Sequence, residues 1–144
     1  MNNAIAGREL IDALPFSQAL GMQLEEIENG RAVISMPYDT RLIGDPRTGV
    51  IHGGAVSALM DTTCGASVIS LPDGSGVTAT IDLRIDYMRA ATPGARIICT
   101  AICYHTTRTV AFVRANATDS DEPDAIPVAS AVGAFTFQKQ GIDT

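Results

Sequence analysis

The sequence predicts an α+β fold, in which a six-stranded antiparallel sheet packs its concave face on one long central helix. The order of elements is the first reason: two strand-like segments precede a long apolar segment at 55–70, and four more follow it. The second reason is the segment 77–89, where apolar and charged residues alternate with the period of two that is typical of a half-buried strand.

The elements before the central helix can be assigned from local patterns. Residues 7–22 predict short helical material, interrupted at Pro15. Residues 23–28 and 31–38 predict two strands, and Asn29-Gly30 between them favours a tight hairpin turn.

Glycine and proline mark the remaining boundaries. Residues 41–51 contain two glycines and a proline and predict a loop, and Leu71-Pro72-Asp73-Gly74 ends the central helix. The four strands that follow are predicted at 77–89, 96–105, 108–118 and 128–137.

Composition limits the class of protein. With 144 residues, 46% of them hydrophobic and 18% charged, the chain fits a single folded domain over 1–144, with residues 1–15 as an N-terminal helical extension. The net charge of −6 argues against a nucleic-acid partner, because such proteins carry basic surfaces.

The sequence shows no membrane span, no signal peptide and no metal-binding motif, and these absences predict the compartment and the metal content. No apolar run approaches the roughly 18 residues of a membrane span, and residues 1–14 resemble no signal peptide. Cys64, Cys99 and Cys103 lack metal-ligand spacing, so we expect small buried thiols, no metal and a cytoplasmic location.

Asp61 is the only charged residue between His52 and Asp73. A helix that is apolar all round is a buried helix, and a carboxylate is costly to bury there. Two interpretations stay open: Asp61 is satisfied by local hydrogen bonds, or it acts as a general base or nucleophile in an apolar cleft.

His52-Gly53-Gly54 begins the same helix. Two glycines allow a ligand to approach the backbone closely, and the helix dipole and unpaired N–H groups favour an oxyanion or a polarised carbonyl oxygen. The alternative is a loop-to-helix turn that only needs flexible backbone angles.

The spacing of these features predicts a shared site. Asp61 lies eight positions after Gly53, about 12 Å along a straight helix. A base and an oxyanion donor must each lie roughly 3 Å from the reacting atom. We therefore expect two antiparallel copies of the helix, in a symmetric dimer, to supply one site together.

The segment from Gly49 to Gly54, followed by Asp61, Gly65 and then 81–87, resembles the PaaI-like thioesterases of the hotdog-fold superfamily. The similarity spans about residues 16–137. It implies a hotdog fold, self-association as a dimer or a dimer of dimers, and hydrolysis of acyl-coenzyme A at the dimer interface without metal or cofactor.

The resemblance also implies roles for single residues. Asp61 would activate water or attack the thioester carbonyl, and the Gly53 N–H of the other subunit would bind the oxyanion. His52 would position the thioester or support its loop, and Thr80 would help to hold the attacking water.

Substrate binding is expected from a further set of positions. Relatives often carry an Asn where Pro46 stands, and Asp45 or Thr48 would replace it. Gly54 would contact the ligand through its backbone, and the helix residues near Met60 and Cys64 would line the pocket. The phosphates of coenzyme A need cations, for which Arg89 and Arg108 are the candidates.

The acyl group is left open as aromatic or as a short or medium chain. A non-catalytic acyl-CoA-binding or regulatory protein is the alternative function. A hotdog-fold dehydratase is disfavoured, because that chemistry places its His and acidic residue at a different spacing.

Overall fold

A computed structural model describes residues 3–141 of the chain. It begins with helices α1 (Asn3–Ala13) and α2 (Pro15–Ala19) and contains one long helix, α3 (Gly53–Ile69). The strands are β1 (Gln23–Glu28), β2 (Arg31–Met36), β3 (Ile43–Asp45), β4 (Val50–Ile51), β5 (Thr80–Tyr87), β6 (Ile97–Thr106), β7 (Val110–Thr118) and β8 (Ala129–Thr136).

Six of the strands form one antiparallel sheet in the order β1-β2-β6-β7-β8-β5, and β3 pairs with β4 separately. The long helix α3 packs on the middle of the large sheet, against β2, β6 and β7. Fully buried side chains fill the space between them: Ile34, Leu59, Met60, Val113 and Phe135. The predicted α+β hotdog architecture is confirmed.

The β1–β2 turn has the backbone that its dipeptide predicts. Asn29 and Gly30 have φ of 46° and 85°, the positive values of a type I′ hairpin turn. Gly30 also donates its N–H to the Ser70 hydroxyl at 2.8 Å, so the hairpin docks on the C-terminal end of α3. A β carbon at Gly30 would lie 2.9 Å from a methyl carbon of Leu71, which leaves no space for one.

The segment 41–51 is more ordered than predicted. A short 3₁₀ helix at Thr40–Leu42 leads into the β3–β4 hairpin. Gly44 makes this possible, because a β carbon there would lie 2.7 Å from the α carbon of His52. The predicted loop is therefore a small hairpin that packs against His52, the residue just before α3.

The prediction that α3 is buried on every side is not met within the single chain. One face of the helix carries small or polar residues that are only partly buried, and we call it the open face: Gly53, Ser57, Ala58, Asp61, Thr62 and Gly65. These positions recur every three or four residues, so they form one stripe along the helix. The opposite face packs on the sheet.

The first helix is an integral part of the packing. Ile11 of α1 is 4% exposed and belongs to the same core as α3. Gly7 allows α1 to lie close to β1 and α3, because a β carbon at this position would lie 2.7 Å from Ile27 and 3.3 Å from Ile69. Pro15 is the first residue of α2, where its missing N–H costs no hydrogen bond.

The cysteines are free thiols. Cys64 and Cys99 are fully buried, and burial raises the pKa of Cys99 to about 12. They pack as small apolar residues, as expected. No helix within residues 3–141 is long and apolar enough to cross a bilayer.

Candidate active site at the open face of α3

The first turn of α3 has one free amide and one capped amide. His52 is the N-cap residue, and its Nδ1 accepts a hydrogen bond of 2.7 Å from the Gly54 N–H. The Gly53 N–H has no hydrogen-bond acceptor among the described residues. Gly53 is thus the amide that the helix leaves available to a ligand.

The Gly54 N–H is already bound to Nδ1 of His52, so the predicted backbone contact of Gly54 with a ligand would not use this donor. The glycine is required for a steric reason: a β carbon at Gly54 would lie 2.8 Å from Nδ1 of His52. The part of the prediction in which His52 supports the loop agrees with this contact.

Two hydroxyl groups fix the carbonyl of Gly53. Tyr87 Oη donates to it at 2.8 Å and Ser57 Oγ donates to it at 3.1 Å, and the two hydroxyls also contact each other. Because Tyr87 is the last residue of β5, it ties the start of α3 to the sheet. Sequence reasoning missed both residues. The signal was that Tyr87 shares its strand face with Leu83 and Ile85, which pack against the core.

Asp61 lies two turns further along the open face and is half-buried. Thr80, the first residue of β5, donates its hydroxyl to Oδ1 of Asp61 at 2.7 Å. The structure thus brings together two of the predicted site residues, which are 19 positions apart in the chain. The helix is continuous from Gly53 to Asp61, so these two residues are about 12 Å apart along its axis.

A cavity of about 260 Å³ opens beside Asp61 and Thr80. Its walls are otherwise mostly apolar and come from α1, the α1–α2 junction, α3 and β8: Leu10, Ile11, Leu14, Ala66, Ile69 and Phe135. Met60 and Cys64 do not line it, although they were expected to. Both are fully buried on the side of α3 that faces the sheet, one position away from the open face.

Asp45 is the last residue of β3, and Thr48 lies in the turn between β3 and β4. The Asp45 carboxylate accepts the Arg47 N–H at 3.0 Å and its guanidinium at 3.3 Å, and these hydrogen bonds hold the pKa of Asp45 below its usual range. The Thr48 hydroxyl accepts the Val50 N–H at 3.4 Å. Neither residue lines the cavity beside Asp61.

Arg89 is not available for a phosphate group, which corrects the prediction. Its guanidinium donates to both carboxylate oxygens of Asp119, at 2.7 and 2.9 Å, and to the carbonyls of Ala90 and Ile126. The side chain of Asp119 is 5% exposed, and Arg89 holds its pKa well below the usual range. The pair joins the segment after β5 to the loop before β8.

Arg108 has the opposite environment. It lies exposed in the turn between β6 and β7, and no acceptor for its guanidinium is found among residues 3–141. It also lines a second cavity of about 420 Å³ with Ser75 and Gln138. Of the two arginines expected to bind phosphate, Arg108 is the one whose charge is not paired by any described residue.

Comparisons with known proteins identify a family model and solved structures that are similar to this chain. The family model of the thioesterase superfamily matches residues 48–126, which run from the β3–β4 turn to the loop before β8. A solved structure from Pseudomonas aeruginosa is 41% identical, covers 93% of this chain and 98% of that chain, and has a TM-score of 0.80.

Two named relatives are more distant in sequence. A mutant of the phenylacetic acid degradation protein PaaI of Thermus thermophilus is 26% identical, covers 87% of this chain and 99% of that chain, and has a TM-score of 0.74. The medium/long-chain acyl-CoA thioesterase YigI of Salmonella typhimurium is 25% identical over 91% of this chain and 90% of its own length.

Proposed function

The chain belongs to the thioesterase superfamily and is a thioester hydrolase, and we propose that it hydrolyses acyl-coenzyme A with Asp61 as the reactive carboxylate. One observation carries the proposal: the Asp61 carboxylate, bound by the Thr80 hydroxyl, lies at the edge of a mostly apolar cavity. The relative YigI is a medium/long-chain acyl-CoA thioesterase, which supports acyl-CoA as the substrate class.

Asp61 can act in two ways. As a general base it takes a proton from water, and the hydroxide attacks the thioester carbonyl carbon. As a nucleophile its oxygen attacks that carbon, and water then hydrolyses the mixed anhydride. Either route forms a C–O bond, breaks the C–S bond and releases the coenzyme A thiol and a carboxylic acid. Thr80 fixes the orientation of the carboxylate.

The developing oxyanion needs a hydrogen-bond donor, and the Gly53 N–H is the available one. The separation of about 12 Å along α3 prevents Gly53 and Asp61 of one chain from meeting at one carbonyl. We therefore assign Gly53 of a second copy to the same site as Asp61, in a symmetric dimer with two sites. The half-buried small residues of the open face leave space for such a partner.

Coenzyme A carries phosphate groups, and Arg108 is the residue we assign to them. A guanidinium binds phosphate through paired hydrogen bonds, and that of Arg108 has no competing carboxylate within residues 3–141. In this proposal the net charge of −6 does not exclude an anionic substrate, because a local cation binds it. We propose a cytoplasmic location, where the three thiols stay reduced.

The test is release of free thiol from acyl-CoA thioesters that carry short, medium, long and aromatic acyl groups. Asp61→Asn keeps the shape of the side chain and removes its basicity, and we expect kcat to fall about 10³-fold. Asp124→Asn, which makes the same change in the exposed loop before β8, is the matched control and should retain wild-type activity.

Two outcomes would overturn the proposal. If the wild-type protein releases no thiol from any of these substrates, it is not an acyl-CoA thioesterase, and binding without turnover would favour the non-catalytic alternative. If Asp61→Asn retains full activity, the assignment of the carboxylate is wrong. Sedimentation under assay conditions tests the shared site, because an active monomer contradicts it.

A further inference from the structure

The cavity beside Asp61 follows the axis of α3 beneath the first helix. Thr62, Gly65 and Ile69 belong to successive turns of α3 and line one wall. Leu10 and Ile11 of α1, with Leu14 just after that helix, line the opposite wall. The cavity therefore extends away from the reactive carboxylate, between two helices of the same chain.

The two ends of this space differ chemically. Asp61 and Thr80 lie at one end, and Asp61 is the one ionisable side chain among the described residues that line the cavity. At the other end, Gly7 of α1 packs closely on Ile69 and Ile27. An apolar tail fits such a space, because its burial is favourable and leaves no polar group unpaired.

The dimensions set the length of that tail. From Asp61 to Ile69 is eight residues, or about 12 Å along the helix. An extended hydrocarbon chain advances about 1.25 Å per carbon, as expected for carbon–carbon bonds of about 1.5 Å. The space therefore matches about eight to ten carbons.

We infer that this cavity holds a linear acyl chain of about eight to ten carbons, with α1 as its outer wall and Gly65 as the residue that keeps it open. The inference rests on the proposed function, since it places the thioester carbonyl at Asp61. It assigns a specificity role to the first helix, which in the sequence looked like an extension.

Gly65 is the cavity position where a larger side chain can be introduced with the least steric conflict. A β carbon there would meet only a methyl group of Thr78, at 3.9 Å, which is ordinary contact. A leucine at this position keeps the helix and fills the cavity with its remaining atoms. Leu10 makes the opposite change possible, because it is 42% exposed and its truncation to alanine widens the outer wall at little cost to the core.

The test compares kcat/KM for butyryl-, octanoyl-, decanoyl- and dodecanoyl-CoA. For the wild type we expect about a fourfold rise per methylene up to decanoyl-CoA, followed by a plateau. Gly65→Leu should lower the ratio of decanoyl to butyryl kcat/KM at least 30-fold, and Leu10→Ala should raise the ratio of dodecanoyl to decanoyl. Ile5→Ala, an exposed change on α1 outside the cavity, should leave both ratios unchanged.

The inference is overturned if wild-type kcat/KM is independent of chain length from butyryl to decanoyl, or if both Gly65→Leu and Leu10→Ala keep the wild-type ratios. Leu10→Ala keeps the test decisive if Gly65→Leu fails to fold. Thiol release that does not depend on chain length would agree with the proposed function but contradict the assignment of this cavity to the acyl chain.

Calorimetric titration tests the acyl cavity independently of hydrolysis. Butyryl- and decanoyl-CoA are titrated into Asp61→Asn and into Asp61→Asn combined with Gly65→Leu. Suppose that the wild type releases no thiol, that decanoyl-CoA binds at least 30-fold more tightly than butyryl-CoA, and that Gly65→Leu cancels this difference. The acyl cavity is then supported, and the proposed hydrolase activity is contradicted. If binding shows no such preference, the cavity assignment fails as well.

Discussion

Gly53 and Asp61 lie two turns apart on the same face of α3, and their surroundings differ in kind. Around Gly53 the polar groups are held by the chain: His52 caps Gly54, while Tyr87 and Ser57 hold the carbonyl of Gly53. Around the Asp61 carboxylate, the described part of the chain supplies one hydrogen bond, from Thr80, and an open, mostly apolar space.

The difference matches two demands of thioester hydrolysis. An oxyanion donor must be aimed before the charge develops, because reorganisation during the reaction would reduce its effect. An acyl pocket must accept a flexible apolar chain and needs only volume and apolar walls. The rigid end of the open face fits the first demand and the cavity fits the second.

Replacing Gly53 with proline tests the Gly53 end of the open face and should have the largest effect of the three substitutions compared at that end. Proline removes the N–H that we assign to the oxyanion, at a first helical position where it is well tolerated. The extended backbone of His52, with ψ of 133°, also suits a residue before proline. We expect kcat to fall about 10²–10³-fold, measured by thiol release.

Gly53→Ala is the matched control, because it keeps the N–H. Its β carbon would lie 3.4 Å from the ring of Tyr87, so the helix start can accommodate it. Equal losses in both variants would show that crowding, and not the missing donor, reduces the rate.

Tyr87→Phe should have an intermediate effect. The ring stays and only the hydroxyl that binds the Gly53 carbonyl is lost, at a net cost of about 1 kcal/mol. If that hydrogen bond aims the amide, kcat should fall about 5- to 10-fold with little change in KM. Tyr104→Phe on the outer side of the sheet, where Arg114 stacks on the ring at 4.1 Å, is the control. A loss seen in KM alone would make Tyr87 a binding residue instead.

His52→Ala should have the smallest effect, and it should appear in stability. The variant removes the N-cap hydrogen bond to Gly54, which is worth about 1 kcal/mol in the free energy of unfolding. Chemical denaturation would measure this. His52→Asn, which can also cap a helix, should recover part of the loss. Full stability with a large fall in kcat would instead support the predicted role of His52 in positioning the thioester.

The sequence predicted the elements well, for local reasons. Alternation in 77–89 corresponds to β5, the apolar segment corresponds to α3, and Asn29-Gly30 forms the expected turn. The lone carboxylate Asp61 also stood out without any structure. Each of these signals lies within a short segment, where residue type and backbone geometry are directly linked.

Long-range contacts were predicted poorly. Arg89 looked like a surface cation until Asp119, 30 residues away, was placed beside it. Met60 and Cys64 were assigned to the pocket because they flank Asp61 in the sequence, but they face the sheet. A shift of one residue on a helix changes the direction of a side chain by about 100°, and sequence proximity does not specify that direction.

By itself, the sequence determined the order of the six main strands and the long helix, the turn at Asn29-Gly30, and the presence of one carboxylate on a helix that begins with two glycines. Only the tertiary structure decided which amide stays free, which arginine stays unpaired and that α1 covers the cavity beside Asp61. The physical reason is that propensity and periodicity act over a few residues. Hydrogen-bond partners and cavity walls are instead chosen by packing between segments that lie far apart in the chain.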